Sequence, residues 1–322
     1  MENLFTDPFN ILLIAAFIGF FMAFGIGAND VANSMGTSVG ARALTIKQAI
    51  LIAAVFEFLG AFLAGGEVTS TIRKGIVDPN LYTDQVNIFV IGMMSALLAG
   101  GTWLYIASLR GWPVSTTHSI VGAIIGFVLI TKGVDAVSWG KVSNIAMSWV
   151  TSPLFSGILA FSLYISAKKL ILDRANPGKA AITFIPFYSF LVAVVISLVT
   201  ARKGLKHVGI EWTENEVYLF TFIFSIVVAI GTSYFLRRNK EKINGVGGIE
   251  FAFGLLMIVS ASAMAFAHGS NDVANAIGPL AAIVSVVDTG TVGSKATISP
   301  WVLFIGGIAV SYTHLTLPTT GI

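Results

Sequence analysis

The sequence predicts an all-α polytopic membrane protein that contains an internal repeat. Of its 322 residues, 55% are hydrophobic and 11% are charged, whereas soluble domains carry about 25% charged residues. The long apolar runs favour helices, because a transmembrane β-barrel would show short segments of alternating hydrophobicity. The polar pentapeptide at residues 29–33 recurs at residues 271–275, and both copies adjoin or lie within apolar runs.

The apolar runs predict the helices in order along the chain. They lie at residues 11–24, 46–64, 86–108, 113–131, 138–150, 153–167, 182–200, 217–236, 249–267, 273–287 and 300–310. A helix needs about 20 residues to cross the hydrocarbon core. The shorter runs are therefore predicted to form half-helices or re-entrant pairs. The first ten residues lack Lys and Arg, so the first run is expected to remain in the protein rather than act as a cleaved signal peptide.

Two clusters of basic residues predict the orientation of the chain. They comprise Lys168, Lys169, Arg174 and Lys179, and then Arg237, Arg238, Lys240 and Lys242. Two apolar runs separate the clusters, so both are expected on one side, which the positive-inside rule makes cytoplasmic. The net charge of +3 therefore reflects membrane topology rather than a nucleic-acid partner. The absence of cysteine excludes disulfides and thiolate metal sites.

The repeat divides the chain into four predicted parts. They are a first repeat at 1–132, a middle region at 133–245, a partial second repeat at 246–310 and an atypical tail at 311–322. The offset that aligns the two pentapeptides also aligns Gly27 with Gly269. The tail is polar and contains Pro318, a poor continuation of a membrane span. We therefore expect the second repeat to be incomplete.

The repeated pentapeptide is the first candidate site. On a helix, Asn29, Asp30 and Asn33 share one face, and the second copy offers Asn271, Asp272 and Asn275 in the same pattern. Gly25 and Gly27 are predicted to let the first helix unwind, which would expose an N-terminus that attracts anions. The alternative is that these polar residues only join helices. An intramembrane aspartate is costly and usually functional, and its duplication favours a transport site.

The second candidate site is the segment at residues 111–118, which reads Gly-Trp-Pro-Val-Ser-Thr-Thr-His. Proline suits a first helical turn, and the hydroxyls of Ser115, Thr116 and Thr117 can bind an anion beside free backbone N–H groups. We predict the tip of a re-entrant hairpin, the alternative being an ordinary helix N-cap. His118 is expected to pack rather than to bind metal, because no nearby His or Cys completes a ligand set.

Glu57 is a further candidate because apolar residues flank it on both sides. A carboxylate there needs a cation, a proton or a partner, and we favour a coupling-ion or proton role over a salt bridge between helices. Residues 36–40 match the G-x-S-x-G pattern of hydrolases, but a helix rather than a strand is predicted before them. The sequence contains no phosphate-binding P-loop motif, which argues against transport driven by ATP.

Three motifs, at residues 27–33, 113–118 and 267–275, resemble the inorganic phosphate transporter (PiT) family. Glu57 and residues 71–75 also look like this family, and the likeness extends to about Val310. The resemblance implies two inverted repeats, each with a broken helix and a re-entrant hairpin. It implies a multi-pass protein of the cell membrane that moves phosphate with Na⁺ or H⁺, and neither an enzyme nor a cofactor-binding protein. The family continues into a second hairpin where this chain departs at Ser311, so a C-terminal truncation is expected.

The resemblance also carries over roles for the candidate residues. The expected phosphate-binding residues are Asn29, Asp30, Asn33, Ser115, Thr116, Thr117, Asn271, Asp272 and Asn275. Asp30, Asp272 and Glu57 are expected to act on the coupling ion, and Na⁺ would lie at Asp30, Asn33, Asp272 and Asn275. The expected partners are inorganic phosphate, the coupling ion and the lipid bilayer, with a homodimer as one option for the assembly and no nucleic acid.

Two alternatives remain open at this point. The first is a permease for sulfate or another oxyanion on the same scaffold, although a carboxylate can accept a hydrogen bond from protonated phosphate and only repels sulfate. Carboxylates and an anion at one site also require cations for charge balance. The second alternative is an intramembrane hydrolase that uses Ser38 or Ser115 with His118 and an aspartate, which would leave the repeat unexplained.

Overall fold

The computed structural model describes residues 7–75, 77–204, 212–245, 247–292 and 298–316, without the side chains of 67–75, 203–204 and 314–316. Its helices are α1 (Pro8–Gly40), α2 (Ile46–Gly75), α3 (Val86–Arg110), α4 (Thr116–Lys132), α5 (Trp139–Ala167), α6 (Pro177–Val199), α7 (Glu214–Arg238), α8 (Lys240–Asn244), α9 (Gly248–Asn271), α10 (Ala274–Thr289) and α11 (Pro300–Thr316). Among the described residues, seven helical stretches are long and apolar enough to cross a membrane. The predicted all-α polytopic class is confirmed.

The chain forms two compact units, each assembled from segments that are distant in sequence. Unit 1 comprises Met1–Gly36, Lys47–Val142 and Met264–Ile322, and unit 2 comprises Thr37–Ile46 and Ser143–Ala263. Both pentapeptides and the Ser-Thr-Thr segment belong to unit 1. Candidate site residues separated by more than 200 positions in the sequence can therefore meet within one unit.

Helices α3 and α4 form a packed pair in unit 1. Gly111 adopts a left-handed conformation with φ of 67° at the end of α3, as glycine readily does, and so permits the sharp reversal into α4. Gly92 leaves room for Phe127, since a Cβ there would lie 2.0 Å from the phenyl ring. At the far end of the pair, the Tyr82 hydroxyl lies 2.6 Å from the Thr131 hydroxyl. The two helices are thus packed together along their length, and the segment that connects them lies at the Gly111 end of the pair.

The expected unwinding of α1 before the first pentapeptide is wrong. α1 runs unbroken from Pro8 to Gly40, and Gly25 and Gly27 instead allow close packing. A Cβ on Gly25 would lie 3.1 Å from Leu104 Cβ, and one on Gly27 would lie 2.8 Å from the Val310 carbonyl oxygen. Small residues let membrane helices approach closely while the helical hydrogen bonds are kept, so packing decides the conformation here.

A helix break does occur in the second copy of the pentapeptide. α9 ends at Asn271 and α10 begins at Ala274, so the break falls at Asp272 and Val273 rather than at Gly269. A Cβ on Gly269 would lie 2.1 Å from the Glu57 carbonyl oxygen on α2. The repeat aligns Gly27 with Gly269, and each of these glycines packs closely against a backbone carbonyl of another helix. The inverted relation of the repeats stays a prediction.

Two further features differ from the apolar runs. The runs at 138–150 and 153–167 form the single helix α5, with Pro153 inside it. Membrane helices tolerate an internal proline when neighbouring hydroxyls and helices satisfy the freed carbonyl. α11 continues past residue 310 to Thr316, and the Thr313 hydroxyl donates to the Phe24 carbonyl at 3.1 Å. Residues 317–322 of the predicted tail lie outside the described residues.

Unit 2 is centred on the pair α6 and α7. A buried cluster joins Ile171, which precedes α6, to Ile243 in α8, and Gly178 lies so close to α8 that its Cβ would be 3.0 Å from the Ile243 carbonyl. The two basic clusters therefore lie at the same end of unit 2, as the sequence predicts. The assignment of this end to the cytoplasm rests on the positive-inside rule.

Candidate functional site

A cavity of about 390 Å³ in unit 1 brings together both pentapeptides and the start of α4. Its lining residues are Asp30, Asn33, Val114, Ser115, Thr116, Thr117, Met264, Ala267, His268, Asn271 and Asp272. Seven of the nine residues expected to bind phosphate are among them. The other two, Asn29 and Asn275, lie next to the cavity and hold its walls in place.

The first wall is fixed by a contact between α1 and α4. The Thr116 hydroxyl donates to Asp30 Oδ2 at 2.5 Å, and Asn33 Nδ2 donates to Asp30 Oδ1 at 3.4 Å. Asp30 is only 8% exposed, so these donors offset the cost of burying its carboxylate. The carboxylate therefore has a defined orientation at the edge of the cavity.

Asn29 attaches α1 to the connection between α3 and α4. Its Nδ2 donates to the Trp112 carbonyl at 3.0 Å, and its Oδ1 accepts from the Val114 N–H at 3.2 Å. Both ends of the amide are thus used within the protein. Asn29 positions the connection that precedes Ser115, and it does not line the cavity.

Asn275 makes the corresponding attachment from α10. Its Nδ2 donates to the Thr117 hydroxyl at 3.3 Å, and the residue is 1% exposed. Its Oδ1 has no hydrogen-bond partner among the described residues. Because a buried amide oxygen without a donor is costly, this atom is suited to meet a cation or a water molecule.

His268 is the cavity residue to which the sequence analysis gave no role. Its Nδ1 lies 3.0 Å from Glu57 Oε1, and its Nε2 lies 3.4 Å from Asp272 Oδ2 and 3.8 Å from Asp30 Oδ2. A single ring therefore stands between three carboxylates from three elements. The spacing of four residues to Asp272, which places both on one helical face, was the signal in the sequence that could have identified it.

Glu57 is fully buried and does not line the cavity. It lies on α2, where its carboxylate contacts the His268 ring rather than the cavity itself. Its predicted coupling-ion or proton role stays a prediction. One imidazole ring lies between this carboxylate and the cavity.

The charge around the cavity is unusual for an anion site. Asp30 and Asp272 supply two carboxylates, and among the described lining residues there is no Lys or Arg. The start of α4 supplies positive potential, and Ser115 caps this helix by accepting from the His118 N–H at 3.3 Å. The first N–H groups of a helix have no partner within it and attract anions. The cavity thus offers anion-binding donors beside two acids.

The residues proposed for a hydrolase are not brought together. Ser38 lies within α1 and outside the cavity lining, and no strand precedes it in the described part of the chain. A nucleophile elbow needs a strand, a sharp turn and then a helix. Ser115 lines the cavity, but its hydroxyl accepts from a backbone N–H of α4 and His118 does not line the cavity.

Comparisons with known proteins find relatives over most of the chain. The model of the phosphate transporter family matches residues 26–316. A Haemophilus influenzae protein with a phosphate permease name is 47% identical over 312 residues, which cover 94% of this chain and 74% of that protein. The Arabidopsis thaliana protein named inorganic phosphate transporter 2-1, chloroplastic, is 38% identical and covers 91% of this chain, which spans 54% of its length.

A solved structure has the same fold as this chain. The protein described as the sodium-dependent phosphate transporter superposes with a TM-score of 0.89 and is 40% identical. The match covers 96% of this chain and 76% of that structure. With its candidate spans and its bacterial relatives, the chain is a multi-pass protein of the plasma membrane.

Proposed function

The chain belongs to the phosphate transporter family, as the resemblance predicted, and from this premise we propose that it carries inorganic phosphate by cation-coupled symport. The observation that carries the proposal is the cavity where both pentapeptides meet the start of α4. It combines helix N–H groups and hydroxyls, which bind an anion, with two carboxylates, which repel one. Such a site requires a cation to accompany its substrate.

The balance of charge explains the coupling. Phosphate at neutral pH carries one or two negative charges, and Asp30 and Asp272 add two more in a region of low dielectric. At an effective dielectric of about 20, two like charges 4 Å apart repel by about 4 kcal/mol. Cations that enter with the anion remove this cost, so filling the site without them is disfavoured. The sodium-dependent relative favours Na⁺ over H⁺ as the coupling ion.

The candidate cation ligands follow from the oxygen atoms at the cavity. Na⁺ prefers oxygen ligands, and we assign it to the carboxylates of Asp30 and Asp272 with the amide oxygens of Asn33 and Asn275. The unpartnered Oδ1 of Asn275 supports this assignment. Glu57 would act on the ion through His268, because its carboxylate contacts that ring and not the cavity.

Phosphate is preferred over sulfate for a chemical reason. A phosphate anion at neutral pH retains at least one O–H, which can donate to the Asp30 or Asp272 carboxylate. Sulfate has no such proton and would bring its oxygens against a carboxylate without a hydrogen bond. A site built around a required donor rejects ligands that lack it by several kcal/mol.

The experiment is uptake of radiolabelled phosphate into cells that lack their own phosphate transporters and express this chain. Uptake is measured with an imposed Na⁺ gradient, with a proton gradient and with neither, and an excess of sulfate is added as competitor. Asp30→Asn tests the site. Asp135→Asn is the matched control, because Asp135 is an exposed aspartate in unit 1 outside the cavity.

We expect uptake that requires Na⁺, is unaffected by sulfate, is lost in Asp30→Asn and is kept in Asp135→Asn. Uptake without any cation gradient would contradict coupling. Inhibition by sulfate at concentrations similar to those of phosphate would favour the oxyanion permease. Full uptake activity of Asp30→Asn would contradict the proposal that phosphate is transported through this cavity.

A further inference from the structure

A second cavity, of about 430 Å³, lies within unit 2 and has no part in the proposed transport site. It is lined by Ala41, Arg42, Ala43, Phe235, Glu250, Phe251, Gly254, Leu255 and Ile258. These residues come from the turn between α1 and α2, the end of α7 and the start of α9. The cavity therefore opens at the ends of helices, beside the basic cluster that begins at Arg237.

Two opposite charges line this cavity without neutralising each other. Neither Arg42 nor Glu250 forms an ion pair or a side-chain hydrogen bond with any residue that the structure describes. Their separation thus exceeds the 4.0 Å reach of a salt bridge, although they share one cavity. A second positive charge lies at its edge, since Lys242 Nζ is 3.9 Å from the centre of the Phe251 ring.

Arg42 occupies a position where glycine would be favoured. Its φ is 58°, and it is the only described residue other than glycine with a positive φ. The Arg42 N–H donates to the Val39 carbonyl and the Ala43 N–H to the Ser38 carbonyl, both at 2.9 Å, which is a common way to end a helix on a left-handed residue. A side chain in this conformation costs about 1–2 kcal/mol. Such a cost is typical of positions where the side chain has a function.

Below its charged rim the cavity is apolar. Gly254, Leu255 and Ile258 follow Glu250 along α9. Since a helix rises 1.5 Å per residue, these residues extend to about 12 Å from the level of Glu250. The cavity thus combines charges at the ends of helices with an apolar wall along α9, which suits the charged headgroup and the acyl chain of one phospholipid.

We propose that this cavity binds a single phosphatidylethanolamine molecule. Its phosphodiester would lie at Arg42 with Lys242 nearby, its primary ammonium would lie at Glu250, and an acyl chain would follow Leu255 and Ile258. A headgroup that carries both charges fits between the separated partners, whereas phosphatidylglycerol has no cation for Glu250. Phosphatidylcholine carries a cation, but its methylated nitrogen cannot donate a hydrogen bond to the carboxylate.

The test measures lipid retention by the purified full chain with native mass spectrometry. The protein in detergent is mixed with equal amounts of phosphatidylethanolamine, phosphatidylglycerol and phosphatidylcholine that carry the same acyl chains, and bound copies are counted. The variants are Arg42→Gln and Glu250→Gln. The matched controls are Arg238→Gln and Glu241→Gln, which remove the same charges in exposed residues outside the cavity lining.

We expect about a tenfold preference for phosphatidylethanolamine over phosphatidylcholine, the factor typical of one charge-assisted hydrogen bond. Glu250→Gln should reverse the preference toward phosphatidylglycerol, Arg42→Gln should lower retention of all three lipids, and the controls should match the parent protein. Equal retention of the three lipids, or an unchanged preference in Glu250→Gln, would overturn the proposal. Displacement of the lipid by millimolar inorganic phosphate would instead assign the cavity to a soluble anion. Displacement of the lipid when the protein forms a dimer would assign the cavity to a second copy of the chain.

Discussion

The crossing of α2 and α9 at Gly269 provides the sharpest test of how the site is built. A Cβ in Gly269→Ala would lie 2.1 Å from the Glu57 carbonyl oxygen and 2.7 Å from Glu57 Cα. These are backbone atoms, so no rotamer change relieves the clash, and the helices must separate by about 1.3 Å to reach the 3.4 Å of an ordinary contact. That shift would stretch the 3.0 Å contact between His268 and Glu57 beyond hydrogen-bonding reach.

The cost combines two effects. Overpacking costs about 1–3 kcal/mol, and loss of a hydrogen bond to a buried charged group costs about 1.5–3 kcal/mol. We therefore expect Gly269→Ala to destabilise the protein by about 2.5–6 kcal/mol and to lower phosphate uptake. Gly122→Ala is the matched control, because Gly122 also lies in a helix of unit 1 but nothing lies within 4 Å of its added Cβ.

Thermal unfolding of the purified protein measures this difference. The chain has six tryptophans and no cysteine, so intrinsic fluorescence can follow unfolding and thiol-reactive dyes cannot. We expect a melting temperature several degrees lower for Gly269→Ala and unchanged or slightly higher for Gly122→Ala. Equal melting temperatures for the two variants would refute the close crossing of α2 and α9.

Three further predictions concern single contacts. Thr116→Val removes the hydroxyl donor to Asp30 and should lower the initial rate of phosphate uptake about tenfold or more. Thr116→Ser should retain most of this rate, and equal uptake rates for the two variants would contradict a role for the contact. Asn29→Ala frees the Trp112 carbonyl and the Val114 N–H and should cost about 1–3 kcal/mol in thermal unfolding. Arg42→Gly relieves the left-handed strain and should stabilise the protein by up to about 1 kcal/mol; a loss of stability would show that the side chain packs favourably.

The sequence predicted the members of the site better than their contacts. The repeat and the Ser-Thr-Thr segment identified seven residues that line one cavity, because polar groups in an apolar chain are conspicuous. It did not distinguish Asn29 and Asn275 from the lining residues, since a polar side chain that faces a cavity and one that holds a neighbouring helix look alike in a sequence. His268 was missed because a lone histidine shows no partner until the fold brings Glu57 to it.

Local features of the sequence were sufficient for the membrane class, the helix content and the family, because these depend on composition, on the length of apolar runs and on short motifs. The path of the backbone at glycines was decided by the tertiary structure. Glycine lies within the unbroken helix α1 at Gly25 and Gly27, yet it ends α3 at Gly111. Whether a glycine bends a helix or admits a neighbour depends on which atoms lie opposite it, and only the packed fold determines those atoms.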